Sequence, residues 1–140
     1  MSKYFNILEL CHSDTADMNH IDNTPSEEIK EHLEELMEFL DGLRKEWGSP
    51  IRITSGYRCP QLNKKVGGVP TSAHQIGYAV DMWVKGDMRK FLNFVKQYCE
   101  DKDFDEIINE KPKRDGSPSW VHFALKSKDG KQRRKILTIK

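Results

Sequence analysis

Between about Pro25 and Trp47, the apolar residues Ile29, Leu33, Leu36, Leu40, Leu43 and Trp47 recur at alternating steps of four and three. That spacing lines one face of an α-helix. Thr24 can cap it, Pro25 suits the first helical position, and Glu27, three residues after the cap, completes a capping box; Gly48 ends the helix. A second helix is predicted from a cap at Asp87 to about Cys99, with Met88, Phe91, Leu92, Val95 and Cys99 on one side. The remaining apolar runs are short and read as strands: Ile51 to Thr54, Ala79 to Val84, Phe104 to Asn109, Trp120 to Leu125 and Lys135 to Ile139. The stretch up to Thr71 holds Pro60, Asn63, Gly67, Gly68 and Pro70 and reads as an ordered loop, while the segment ahead of Pro25 is polar and turn-rich. Helices followed by clustered strands, without regular βαβ alternation, indicate an α+β fold: a small, largely antiparallel sheet with helices on one face.

At 140 residues the chain is expected to form a single domain, 1–140, large enough to bury a core without staples. Its 23 Lys and Arg against 22 Asp and Glu leave a net charge of +1, so no whole-molecule field drives it toward nucleic acid or an anionic membrane. The basic run from Lys126 to Lys140 is interleaved with Ile136, Leu137 and Ile139 and reads as a terminal strand with solvated charges. Cys11, Cys59 and Cys99 are odd in number and scattered, unlike a disulfide framework or a CxxC knuckle. They read as reduced thiols, Cys99 in helix core and Cys11 half-buried. The opening Met1-Ser2-Lys3-Tyr4-Phe5 lacks the apolar core of a signal peptide, and no stretch reaches membrane-span length, so synthesis in the cytoplasm is expected.

Two polar residues break apolar strands. Asp81 interrupts Tyr78-Ala79-Val80-Asp81-Met82-Trp83-Val84, and His122 interrupts Trp120-Val121-His122-Phe123-Ala124-Leu125. A carboxylate buried in such a place is costly unless it is paired or metal-bound. His74 follows the loop seven residues before Asp81, with small Gly77 and Ala79 between them to allow close folding. Two imidazoles and one carboxylate match a zinc site that holds three protein ligands and leaves one position open. A strand histidine is ordinarily a hydrogen-bonded core residue, and spacing alone leaves both readings standing. The other histidines are expected at the surface: His32 beside Leu33 on a charged helix, His12 and His20 in the N-terminal segment.

Taken in order, Ser55-Gly56-Tyr57-Arg58, Asn63, Gly67-Gly68, Ser72-x-His74-x-x-Gly77-x-Ala79-x-Asp81 and Trp120-Val121-His122 resemble the successive signatures of the M15 peptidases, the zinc D-Ala-D-Ala carboxypeptidase family. The likeness is nearest to the short single-domain branch common in phages and prophages. The opening, Phe5-x-x-x-Glu9-Leu10 with Ser13-Asp14-Thr15-Ala16 and Ile21-Asp22-Asn23-x-Pro25, is also similar, so the resemblance runs from about Phe5 to Leu125. It implies a Hedgehog/DD-peptidase-like fold, with zinc held by His74, Asp81 and His122 and substrate bound by Arg58 and Ser72.

The chain departs from the family pattern at the general base. Many relatives carry an acid three positions before the last zinc histidine, where this chain has Ser119. In the short branch the acid often lies farther upstream, after an Ile-rich strand. Glu110, after Asp105-Glu106-Ile107-Ile108-Asn109, resembles that residue if Lys111 to Ser119 forms an inserted hairpin loop; Asp115 and Glu106 are the alternatives. The implied function is hydrolysis of a peptide bond in peptidoglycan stem peptides, one that involves D-alanine, by a monomer acting on the wall after phage-mediated release or as a virion component. A non-catalytic zinc module that binds wall or tail, and a cytoplasmic D-Ala-D-Ala dipeptidase, are the alternative readings.

Overall fold

The computed structural model describes residues 2–140. Two short helices open the chain, α1 (Ile7–Cys11) and α2 (Asp14–Met18), where only turns were expected. Each is begun by a side-chain cap: Asn6 accepts the Glu9 N–H and Ser13 accepts the Ala16 N–H. Five residues give too little of a period for sequence pattern to reveal them.

The long helix α3 (Glu27–Trp47) buries Leu33, Leu36, Met37, Leu40 and Leu43 along the predicted face. Its cap is Ser26, which accepts the Ile29 N–H at 3.3 Å, and not Thr24. The reason is local, since the Thr24 N–H already donates to the Asp22 carboxylate at 3.0 Å, an Asx-type turn that leaves Pro25 outside the helix. Gly48 closes α3 at φ 81° with its N–H on the Arg44 carbonyl. His32, expected in solvent, is half-buried: its ring stacks on Tyr78 at 4.3 Å and its Nδ1 lies 2.7 Å from the Ile76 carbonyl.

Then follow β1 (Arg52–Ser55), α4 (Pro60–Lys65), a 3-10 turn (Ala73–Ile76), β2 (Ala79–Trp83), α5 (Met88–Tyr98), β3 (Glu106–Glu110), β4 (Trp120–Ala124) and β5 (Lys135–Ile139). Helix α4 lies inside the stretch expected to be loop. Its start combines Pro60 in the first turn with Cys59 as cap, whose Sγ accepts the Leu62 N–H. Asp87 caps α5 as predicted, accepting the Lys90 N–H at 3.0 Å.

The five strands form one sheet in the order β1-β2-β4-β3-β5. All neighbours are antiparallel except β3 and β5, which run parallel. The fold is α+β. Strand alternation sends Val80, Met82, Ile107, Val121 and Phe123 into the main core with α3 and α5; Phe123 stacks on Phe39 of α3 at 4.9 Å. The opposite face carries a row in register, Ser55, Asp81, His122, Ile108 and Leu137, one residue from each strand. Strand β5 is present as predicted, at the sheet edge, but Ile136, Leu137 and Ile139 are exposed along with Lys135. No helix among the described residues is long and apolar enough to cross a membrane.

Candidate metal centre

Asp81 on β2 and His122 on β4 are direct partners across the ladder, which brings the two strand-breaking residues together. His74 reaches them from the 3-10 turn. Ser72 starts that turn by accepting the His74 N–H at 3.2 Å, and Gly77 ends it at φ 81°. A side chain at Gly77 would press on Ile29 and Leu33 of α3 at 3.0 to 3.1 Å, so this position needs glycine both for its backbone angle and for its packing. Gly56, after β1, passes so close to Leu10 that any Cβ would strike its carbonyl oxygen. This approach carries the Gly56 carbonyl to the His74 ring.

His74 Nε2 lies 3.3 Å from Asp81 Oδ1, and His122 Nδ1 lies 3.2 Å from the same oxygen. One ligand atom from each of the three residues falls within 4.8 Å of the others, and all three residues are buried. His74 Nδ1 is 2.7 Å from the Gly56 carbonyl. A carbonyl can only accept, so Nδ1 bears the proton and Nε2 turns its lone pair on the Asp81 carboxylate. His122 is held between acceptors, with Asp81 at Nδ1 and Glu106 at Nε2, each 3.2 Å away. Acceptors facing one another in a dry pocket repel unless a positive charge lies among them. Two imidazoles and a carboxylate around one small space fit a divalent cation with nitrogen and oxygen ligands.

The protonation balance of the metal-free site reflects the same demand. Burial pushes the Asp81 carboxyl up, but the two imidazoles outweigh it and hold this group well below the usual carboxylate range. Burial alone would lower His122, yet its hydrogen bonds to Asp81 and Glu106 raise it to about 9. Burial takes His74 the other way, below the ordinary histidine value. Of the site's two imidazoles, His122 is thus the one that favours a proton.

Glu106, Ile108 and Glu110 share one face of β3, with Ile108 paired to His122. Lys111 to Ser119 does form a loop between β3 and β4; the Ser119 N–H donates to the Glu110 carbonyl at 3.0 Å, and Glu110 pairs with Trp120. Burial raises the Glu110 carboxyl above its ordinary value, and its charge couples to those of His122, Asp81 and Glu106. Asp115 is exposed on the loop, where it accepts from Ser117 N–H and Oγ–H. The Glu106 carboxyl is drawn down by its hydrogen bond to His122.

Arg58 is half-buried in the segment after β1, its N–H on the His74 carbonyl at 3.0 Å. Its Nε is buried and finds no hydrogen-bond partner among the described residues. Burial pulls the guanidinium's pKa down while the charges of Asp81 and Glu110 pull it up. Sequence reasoning missed the Gly56 carbonyl, which no residue type signals, and the place of Glu106 on the outer nitrogen of His122. Period-two counting puts Glu106 on the face of Ile108, but the rung that joins Ile108 to His122 is not in the sequence.

A comparison with curated proteins finds no match. A sequence model of the family described as Peptidase M15 matches residues 3–124, which takes in Arg58, His74, Asp81, Glu110 and His122. With the match spanning most of the chain and the His-Asp-His cluster inside it, this protein belongs to the M15 peptidase family, a family of metallopeptidases.

Proposed function

We propose that this chain is a zinc peptidase that cleaves a D-alanine-containing bond in peptidoglycan stem peptides, with His74 Nε2, Asp81 Oδ1 and His122 Nδ1 as the zinc ligands. The observation that carries the reading is the convergence of one nitrogen from each of two buried imidazoles and one oxygen of a buried carboxylate, all within 4.8 Å of one another. A bound zinc supplies Lewis acidity toward a carbonyl oxygen and toward water.

Glu110 is the general base. It stands on the face of β3 shared with Ile108, the ladder partner of His122, and partial burial already raises its affinity for a proton, as suits a group that takes a proton from attacking water and hands it to the leaving amine. Arg58 holds the substrate. A planar guanidinium with a buried, unpartnered Nε is suited to a carboxylate bound through two parallel hydrogen bonds. Ser72, which caps the turn that carries His74, is the second substrate-binding residue.

The test is mass spectrometry of purified peptidoglycan fragments incubated with the zinc-loaded protein. Cleavage at one D-alanine bond is expected, and Glu110→Gln should retain zinc while losing about two to four orders of magnitude in turnover. Intact fragments after incubation with folded, zinc-loaded protein would overturn the activity. Near-normal turnover by Glu110→Gln would overturn the base.

A further inference from the structure

His122 has a second nitrogen, and the structure specifies what it meets. Nε2 lies 3.2 Å from Glu106 Oε1, while Nδ1 faces Asp81. The guanidinium of Arg133, from the C-terminal segment, flanks Glu106. Arg133 Nη2 stands 3.9 Å from Glu106 Oε2, and the same guanidinium grips the buried Asp105 through Nε and Nη2, each at 2.8 Å. The Arg133 N–H adds a bond to Asp105 at 3.1 Å, and the next two residues dock on the start of β3: Arg134 N–H on the Phe104 carbonyl and Lys135 N–H on the Asp105 carbonyl. All of these donors lie after residue 124, where the family match ends.

We infer that Glu106, on the strand next to His122 and flanked by the Arg133 guanidinium, is a positioning residue that fixes the ring of His122 with Nδ1 toward the metal. The inference rests on the zinc site proposed above. A carboxylate on the outer nitrogen of a ligand histidine sets the tautomer, prevents the ring from flipping and strengthens the inner nitrogen as a donor. Here it answers a specific ambiguity. His122 lies between two carboxylates at equal distance, and the two are told apart by their company: Asp81 shares its oxygen with His74, while the other oxygen of Glu106 lies 3.9 Å from Arg133 Nη2.

The test measures zinc affinity by competition with a chromophoric chelator for the unaltered chain, Glu106→Ala and Glu106→Gln. Glu106→Ala should bind zinc more weakly by on the order of 10–100-fold. Glu106→Gln, which keeps an acceptor oxygen, should recover most of that loss. Melting of the metal-free proteins separates this from a structural role, which would lower melting temperature and leave the affinity of the folded protein unchanged. A long-range proton–nitrogen correlation spectrum of the zinc-loaded unaltered chain decides independently of any variant, and should show His122 with a proton on Nε2 and the metal on Nδ1. Equal affinity for Glu106→Ala and the unaltered chain would overturn the inference while leaving the zinc site standing; metal on Nε2 would overturn the inference together with the choice of Nδ1 as the ligand atom. Failure of the unaltered chain to bind zinc would remove the site and this inference together.

Discussion

Arg58 sits between two anchored neighbours. Asn23 donates to the Tyr57 carbonyl at 2.9 Å and accepts the Cys59 N–H at 2.8 Å, and the Tyr57 N–H donates to the Leu10 carbonyl at 2.7 Å. The backbone is thus fixed on both sides of a guanidinium that still has an unused buried donor. If that donor meets a substrate carboxylate, Arg58→Ala should cost roughly 1.5–3 kcal/mol in kcat/KM, the range for a hydrogen bond to a charged group. Arg58→Lys should rescue little, because an ammonium lacks the planar fork. Paired stem peptides, one with a free C-terminus and one amidated, provide the measurement; preference for the free C-terminus marks a carboxypeptidase, and equal cleavage of both by the unaltered chain would overturn the carboxylate clamp in favour of endopeptidase action. At this scale the sequence was legible where a polar residue broke an apolar run, as at Asp81 and His122. It was silent where the partner came from afar, as for His32, whose stacking on Tyr78 no local pattern encodes.

Helix boundaries show what local chemistry can and cannot decide. At α5 one capping residue precedes one clear apolar period, and Asp87 caps as expected. At α3 two hydroxyls flank Pro25, and the choice between them depends on Asp22, whose carboxylate takes the Thr24 N–H. Ser26→Ala should therefore destabilise the protein by about 1 kcal/mol, the usual loss of a side-chain cap. Thr24→Ala should stay within about 0.5 kcal/mol, as for an ordinary surface change. Chemical denaturation of the two variants checks this, and the reverse order would return the cap to Thr24. The five strands were legible from their apolar runs. Their order was not, because pairing β2 with β4 and β3 with β5 depends on contacts across the chain that period-two patterns do not carry.

For the whole molecule, a ligand that binds only the folded state adds stability by mass action. Zinc at about a hundred times its dissociation constant contributes roughly 2.7 kcal/mol, which for a chain of this size is a rise in melting temperature of about 10 °C. Differential scanning calorimetry with zinc and with a chelator should show this gap for the unaltered chain and lose it in His74→Ala and His122→Ala. A gap that survives in both variants would place the metal elsewhere. The loop between β3 and β4 bears on the molecule in another way. Its ends are tied at Glu110 and Ser119, and its tip is held separately by Arg89 on the Asp115 carbonyl. Glu110 and His122 keep their relation through the ladder, whatever length of chain separates them. Counting three residues back from His122 lands on Ser119, whereas counting rungs through Ile108 reaches Glu110, the base proposed above. The loop is accordingly a natural splice point: segments of other length or composition can be exchanged there while the ladder keeps Glu110 and His122 in register.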